Sequence, residues 1–472
     1  MFKNINIFKS ILAILILFIP LYPKFPLLNV TGTYVAIRLD DIIVAISVLI
    51  WLIYQIKNKF PIFKIKITPL FIAYFLAIIA SFITAFLIYQ TESLNILLLN
   101  LFRRFEYMSL FFITIQAIKS IKDLKFPYIF LLIATALVCV YGYGQKYFSF
   151  PVISTMNSEF SKGQLLQMNI WTRVSSTFAG HYDLAAFLSV ALIIIGVVAI
   201  ITKNKLLKIS SLIVWIAGFQ ILSFTASRVS IFAFWGGICL TLFLIRKYLW
   251  IIPISLVVLF SIFNSKDLNQ RLLATIPALK NQFINSNSSN SPSTPTPTPI
   301  PTITINPTPT SITTTTIKTT SIPTIVRHQE TETYPEVDSD VGVARSGEIR
   351  FNAEWPRAIN AYKKNIITGT GLGSITLATD NDYLRCLGES GLLGLITFGS
   401  IILFFIIKTI PFSFKKDKNP SQIFAIILFG ALTTTLANAV FIDVFEASKT
   451  AYLFWIMMAI YYQLLTFSHE KK

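Results

Sequence analysis

The sequence predicts an all-α polytopic membrane protein with about twelve spans and a large outer loop between the ninth and tenth. Three observations predict it. Of 472 residues, 54% are hydrophobic and 13% charged, with a mean hydropathy of +0.67; soluble domains carry roughly 25% charge, so a soluble enzyme is excluded. Apolar runs long enough to cross a bilayer core, ~20 residues, recur from end to end. Lysine and arginine gather in alternate gaps between those runs.

The runs fall at 8–22, 35–55, 68–89, 94–117, 127–148, 183–202, 207–224, 229–246, 248–264, 385–407, 421–441 and 449–467. The first follows Lys3 and Lys9 and resembles a signal peptide. Pro20, Tyr22, Pro23 and Pro26 follow it instead of a small-x-small cleavage site, so it reads as a retained anchor. Only Arg246, Lys247 and the turn before Pro253 separate 229–246 from 248–264. Basic residues mark cytoplasmic loops. With the N-terminus inside, the inner segments hold 20 of the 40 Lys and Arg but three of the 22 Asp and Glu. Both termini are then expected in the cytoplasm, with the large loop outside an inner or plasma membrane. The net charge of +18 becomes an orientation signal and not a nucleic-acid footprint.

This divides the chain into a membrane bundle at 1–264 (spans one to nine), an outer loop at 265–384, and spans ten to twelve at 385–472. Residues 285–326 are Ser/Thr/Pro-rich, too polar to bury a core, and are expected to be disordered; their threonines permit O-glycosylation. Residues 346–384 are expected to be ordered and helical, with Ile349, Trp355, Ile359 and Tyr362 at helical spacing. Cys139, Cys239 and Cys386 are too scattered for a disulfide framework, and the three histidines have no metal-ligand spacing. No metal or cofactor is expected. The turn Gly369-Thr-Gly371-Leu-Gly373 lacks the Lys-Ser/Thr of a nucleotide loop.

Four polar segments fall on the expected outer face: Trp171-Thr-Arg173-Val-Ser-Ser-Thr177-Phe-Ala-Gly180-His181, Thr225-Ala-Ser227-Arg228, Arg350 to Trp355 followed by Gly369 to Gly373, and Asp380-Asn381-Asp382-Tyr383-Leu384 leading to Glu389-Ser-Gly391-Leu-Leu-Gly394. In this order and spacing the sequence resembles the O-antigen ligase and O-antigen polymerase superfamily of bacterial polysaccharide assembly. The Arg173 segment is similar to the family's Arg-x-x-Gly-Thr-Phe-Gly element, with Ser175 or Ser176 at the small position. The Arg228 segment resembles its Thr-x-Ser-Arg turn, and the Arg350 segment its Arg/Trp helix ending in Gly-x-Gly. The Asp380 segment is similar to its His/Asp-Asn-x-Tyr-Leu and Glu-x-Gly-x-x-Gly elements.

The resemblance implies a metal-independent, inverting glycosyltransferase. Its donor would be an oligosaccharide on a polyprenyl diphosphate carrier in the membrane lipids. Its acceptor would be a glycan, lipid or protein hydroxyl, and its partners other polysaccharide-assembly proteins. Arginine suits a diphosphate because its guanidinium makes forked bonds to phosphate and stays charged. Arg173 and Arg228, at span ends, are expected to hold the diphosphate and stabilise it as it leaves; the alternative is that each snorkels to the interface. Arg350 is a further candidate ligand, or a solvated helix arginine. Asp380 stands where ligases of this family have a histidine. It reads as a general base, as an orienter of the acceptor, or as a helix cap. Asn381, Tyr383 and His181 complete the expected substrate-binding set, with His181 a substitute base or a structural group. Glu389 is expected to pair with Arg385, and Arg103 with Glu106, as buried ion pairs. The competing function is a transporter or flippase of lipid-linked oligosaccharide, although no repeat between halves is evident. A scaffold without chemistry is the third class.

Overall fold

The computed structural model describes residues 7–23, 25–29, 36–89, 94–153, 165–166, 173–264, 349–375 and 379–469. The 285–326 tract, Trp171 and most of the 265–384 loop lie outside the described residues.

The described residues form thirteen α-helices. They are α1 (Ile7–Leu21), α2 (Leu39–Lys57), α3 (Thr68–Thr84), α4 (Leu94–Ala117), α5 (Lys125–Phe148), α6 (His181–Ile201), α7 (Lys205–Phe224), α8 (Arg228–Leu244), α9 (Ile251–Asn264), α10 (Trp355–Lys364), α11 (Asp382–Ser413), α12 (Pro420–Asn438) and α13 (Ser448–His469). Two small antiparallel hairpins pair Pro26–Asn29 with Ala36–Arg38 and Val152–Ile153 with Leu165–Leu166. Eight helices are long and apolar enough to cross a membrane: α2, α3 with its π-turn, α5, α6, α7, α11, α12 and α13. α1, α8 and α9 are shorter and apolar. The one remaining expected span, the fourth, is α4, which carries Arg103, Arg104 and Glu106 and is not among those eight. Helices suit this solvent because every backbone N–H and C=O is satisfied within the segment.

Helix starts follow local chemistry. Asn419 caps α12: its Oδ1 accepts from Gln422 N (2.9 Å) and its backbone N–H donates to Gln422 Oε1 (3.2 Å), with Pro420 in the first turn. Asp40 and Asp41 occupy the first turn of α2 at its positive end. α6 lies between α7, α8 and α12, and α13 packs along α4. One apolar core joins α1 to α4 with α11 to α13; a second joins α5 to α9.

Several buried charges are paired. Arg385 meets Glu389 at 3.2 Å, the expected partner one turn away. The expected Arg103–Glu106 pair is not formed among the described residues. Glu106 instead accepts from Tyr452 Oη at 2.7 Å, and the neighbouring Arg104 pairs with Glu446. The reason is tertiary: α13 lies along α4 and presents Tyr452 to Glu106.

α11 is broken at Gly391, with φ +64° and ψ −166°. Leu392 N and Leu393 N are thereby released to bond Ile366 O (2.8 Å) and Ile367 O (3.0 Å) of the preceding turn. A Cβ on Gly391 would lie 2.3 Å from Ile367 O, and one on Gly369 would lie 2.4 Å from the Glu389 carbonyl carbon. Gly391→Ala should therefore lower the melting temperature in detergent, through backbone strain of about 1–3 kcal/mol plus that overlap. Gly399→Ala, in the same helix with open space beside it, should be neutral or stabilise by up to about 1 kcal/mol. Equal melting temperatures in fluorescence-detected size exclusion would contradict the assignment.

Candidate functional site

The first motif is held as an irregular turn before α6. Ser176 has φ +51°, unusual for a side-chain-bearing residue. Its N–H donates to Gln145 Oε1 (2.7 Å), Gln145 Nε2 donates to its carbonyl (2.9 Å), and its hydroxyl donates to Val138 O (2.7 Å). Thr177 Oγ1 donates to Pro20 O (2.6 Å) at the end of α1. The buried Lys449 ammonium donates to the carbonyls of Thr177 (2.8 Å) and Pro20 (3.0 Å) and sits over the Phe178 ring. With the turn fixed, Arg173 Nη1 donates to His181 Nε2 at 2.8 Å. Arginine has no acceptor, so Nε2 must carry a lone pair and the imidazole is neutral with its proton on Nδ1. His181 thus positions Arg173, and its Nε2 lone pair is engaged.

The second motif is the α7–α8 corner. Val174 N donates to Phe224 O (3.3 Å), which links the Arg173 strand to this corner through the backbone. Ala226 has φ +52°. Ser227 Oγ donates to Ser230 Oγ (3.0 Å), Ser230 Oγ to Asn438 Oδ1 (2.8 Å), and Asn438 Nδ2 to Ser189 Oγ (3.0 Å). This buried chain ties α8 to α12 and α6 and leaves half-buried Arg228 as the first residue of α8.

The third and fourth motifs meet through Arg350 and Asp380. Arg350 bonds Asp380 Oδ2 through Nε (2.9 Å) and Nη2 (2.7 Å). Its guanidinium stands 5.8 Å over the Tyr182 ring, whose centroid is 4.1 Å from that of His181. Asp380 has φ +49°, and Asp443 holds both sides of it, accepting from Thr379 N (3.0 Å) and Asn381 N (3.2 Å). Burial raises the Asp380 carboxyl above its ordinary value, with Arg350 opposing and Asp443 reinforcing that rise. Asp380 is not the helix cap. Asn381 is, accepting from Leu384 N at 2.9 Å. Tyr383 donates its hydroxyl to Leu436 O at 2.9 Å, which anchors α11 to α12.

Arg173, Arg228 and Arg350 share one electrostatic neighbourhood around His181 and Tyr182. They come from segments up to 177 positions apart in the chain. Asp380 joins them through Arg350, whereas the side chains of Asn381 and Tyr383 are engaged in the cap and the α12 contact. α6 and α8 begin at His181 and Arg228, and helix N-termini favour anions. Arg173 and Arg228 thus lie beside an Arg350 whose charge is already met by Asp380. Among the described residues, no three His, Cys, Asp or Glu side chains converge to hold a metal.

Two contributors escape a motif reading. Tyr182 is the ring on which Arg350 rests. Glu354, in the π-turn Arg350–Glu354, has a buried Oε2 with no hydrogen-bond partner among the described residues. Burial, then the charge of Asp380, pushes its carboxyl up to about 7, while Arg350 and Arg357 pull the other way. Its one signal in the sequence is its position inside the amphipathic 348–364 stretch.

No protein-family model matches the chain, and no curated protein matches it in sequence. The resemblance noted in the sequence rests on the four motifs and their order alone.

The Arg350–Asp380 pair is largely shielded, with side-chain exposures of 13% and 27%. A double-mutant cycle of Arg350→Ala and Asp380→Ala, followed by thermal unfolding, should give a coupling energy of about 1–3 kcal/mol. A value near zero would mean that the pair does not hold the third and fourth motifs together.

Proposed function

We propose that the protein is a membrane glycosyltransferase that moves a glycan from a polyprenyl diphosphate to an acceptor hydroxyl at the outer face, in chain extension or in transfer to another acceptor. The observation that carries this reading is the convergence of Arg173, Arg228 and Arg350 at the N-termini of α6 and α8. In this reading all twelve apolar segments cross an inner or plasma membrane, both termini are cytoplasmic, and the arginines lie at headgroup depth outside. The alternative of a flippase receives less support. The ionic groups Arg104, Arg385, Glu389 and Glu446 are tied to one another across α4, α11 and the turn before α13, which makes a fixed scaffold and not an open path.

The chemistry follows from the charges. The acceptor oxygen attacks the anomeric carbon, and the bond to the diphosphate oxygen breaks on the opposite face. The electron pair of that bond goes to the diphosphate, whose growing charge the three guanidiniums stabilise. The acceptor proton needs a base. Glu354 has an unengaged oxygen and a carboxyl near neutrality, which suits proton transfer at physiological pH. Asp380, committed to Arg350, acts as a positioning residue.

Reconstitution with a defined polyprenyl-diphosphate oligosaccharide tests this. Arg173→Ala and Arg228→Ala should each lower transfer by about 10²-fold or more while the protein still inserts. Normal glycan length in both variants would sink the diphosphate assignment.

A base must be ionised to accept a proton, so the rate should rise with pH through about 7, where Glu354 titrates. Glu354→Gln should lower the rate and remove that acidic limb. An unchanged pH profile in this variant would exclude Glu354 as the base.

A further inference from the structure

The helical segment that carries Arg350 and Glu354 also lines a cavity. Its volume is about 430 Å³, within the range of small-molecule sites. Asn352, Arg357, Asn360 and Lys364 line it from the helical side, and Thr370 and Ser374 from the Gly-rich turn. Among the described residues that line it, none is acidic. Arg357 Nη1 is buried there with no hydrogen-bond partner among the described residues. Nη1 itself is enclosed by protein, and the half-buried Arg357 side chain brings its charge to the cavity wall.

The polar groups divide by chemistry. The two amides suit sugar hydroxyls, which donate and accept in turn, while the hydroxyls of Thr370 and Ser374 bond each other at 2.7 Å. A guanidinium and an ammonium call for an anion, and the guanidinium fork matches a carboxylate. Glu354 connects this cavity to the arginine cluster, since its charge interacts with both Arg357 and Asp380.

We propose that this cavity is the acceptor subsite and that the acceptor is an acidic glycan, with a hexuronate carboxylate held by Arg357 and Lys364. The assignment rests on the glycan-transfer reading and deepens it. It places the acceptor hydroxyl on the Glu354 side of the leaving diphosphate.

The test uses full-length protein in nanodiscs and calorimetric titration with a hexuronate-containing trisaccharide. Its carboxyl-reduced counterpart, alike except for the charge, is the control. The acidic form should bind about tenfold or more tightly than the reduced form, as expected for a charge-assisted hydrogen bond. Arg357→Gln and Lys364→Gln should each erase most of that preference. Asn360→Glu, which brings a carboxylate to the cavity wall, should weaken binding of the acidic form more than that of the reduced form. Equal binding of the two trisaccharides would overturn the proposal, as would an acid preference that survives in the Arg357→Gln/Lys364→Gln double variant. Competitive displacement of the acidic trisaccharide by polyprenyl diphosphate or inorganic phosphate would also overturn it, by making the cavity a phosphate subsite. Carrier binding is measured separately in the same nanodiscs. Acid-selective glycan binding in a protein that does not bind polyprenyl diphosphate would uphold this cavity assignment and overturn the transferase reading.

Discussion

The Asp443 carboxylate fixes the geometry on which the candidate site depends. It accepts from the backbone on both sides of Asp380 and from Arg385 Nη1 at 3.2 Å. Arg385 in turn holds Glu389 and reaches Ile375 O at 3.0 Å, which joins the Gly-rich turn to the same cluster. Asp382 adds bonds to Val444 N (2.8 Å) and Phe445 N (3.2 Å). In a low-dielectric bundle an unpaired charge or backbone group is strongly disfavoured. The start of α11, the Gly-rich turn and the turn before α13 are therefore bound to each other, and Asp380 can present itself to Arg350 in only one way.

A further constraint is visible in the corners. Ser176, Ala226 and Asp380 all have positive φ, and each lies in a different one of the four polar motifs. Such conformations persist where surrounding structure over-determines them, and they concentrate at functional sites. Here the restraints are identifiable. Gln145 and Val138 hold Ser176, the hydrogen bonds of Thr225 and Ser227 hold the corner at Ala226, and Asp443 holds Asp380. The result is a set of motifs whose corners are held by identifiable hydrogen bonds.

Much of this is legible in the sequence. The apolar runs anticipate the helices, and the motifs anticipate Arg173, Arg228, Arg350 and Asp380 as neighbours, because a membrane bundle brings alternate connections to one side. The Glu389–Arg385 pair is readable from four-residue spacing. The partner of Glu106 is not, because Tyr452 lies 346 positions away. Nor is the division of labour inside the fourth motif, where Asn381 takes the cap that Asp380 could also have taken. Glu354 and Asp443 have no motif to mark them; one matters through burial and the other through the backbone groups it reaches.

By itself the sequence determined the solvent and the local structure. Hydropathy and helical period act over single segments, and a bilayer accepts few ways of satisfying a backbone. Those facts dictate helices, their approximate ends and the residues at those ends. Only the tertiary structure decided which charged groups face each other, which are committed to caps and ion pairs, and which keep an unengaged atom. Those properties depend on distances across helices and on burial from several directions at once, and neither quantity exists in a single segment of chain.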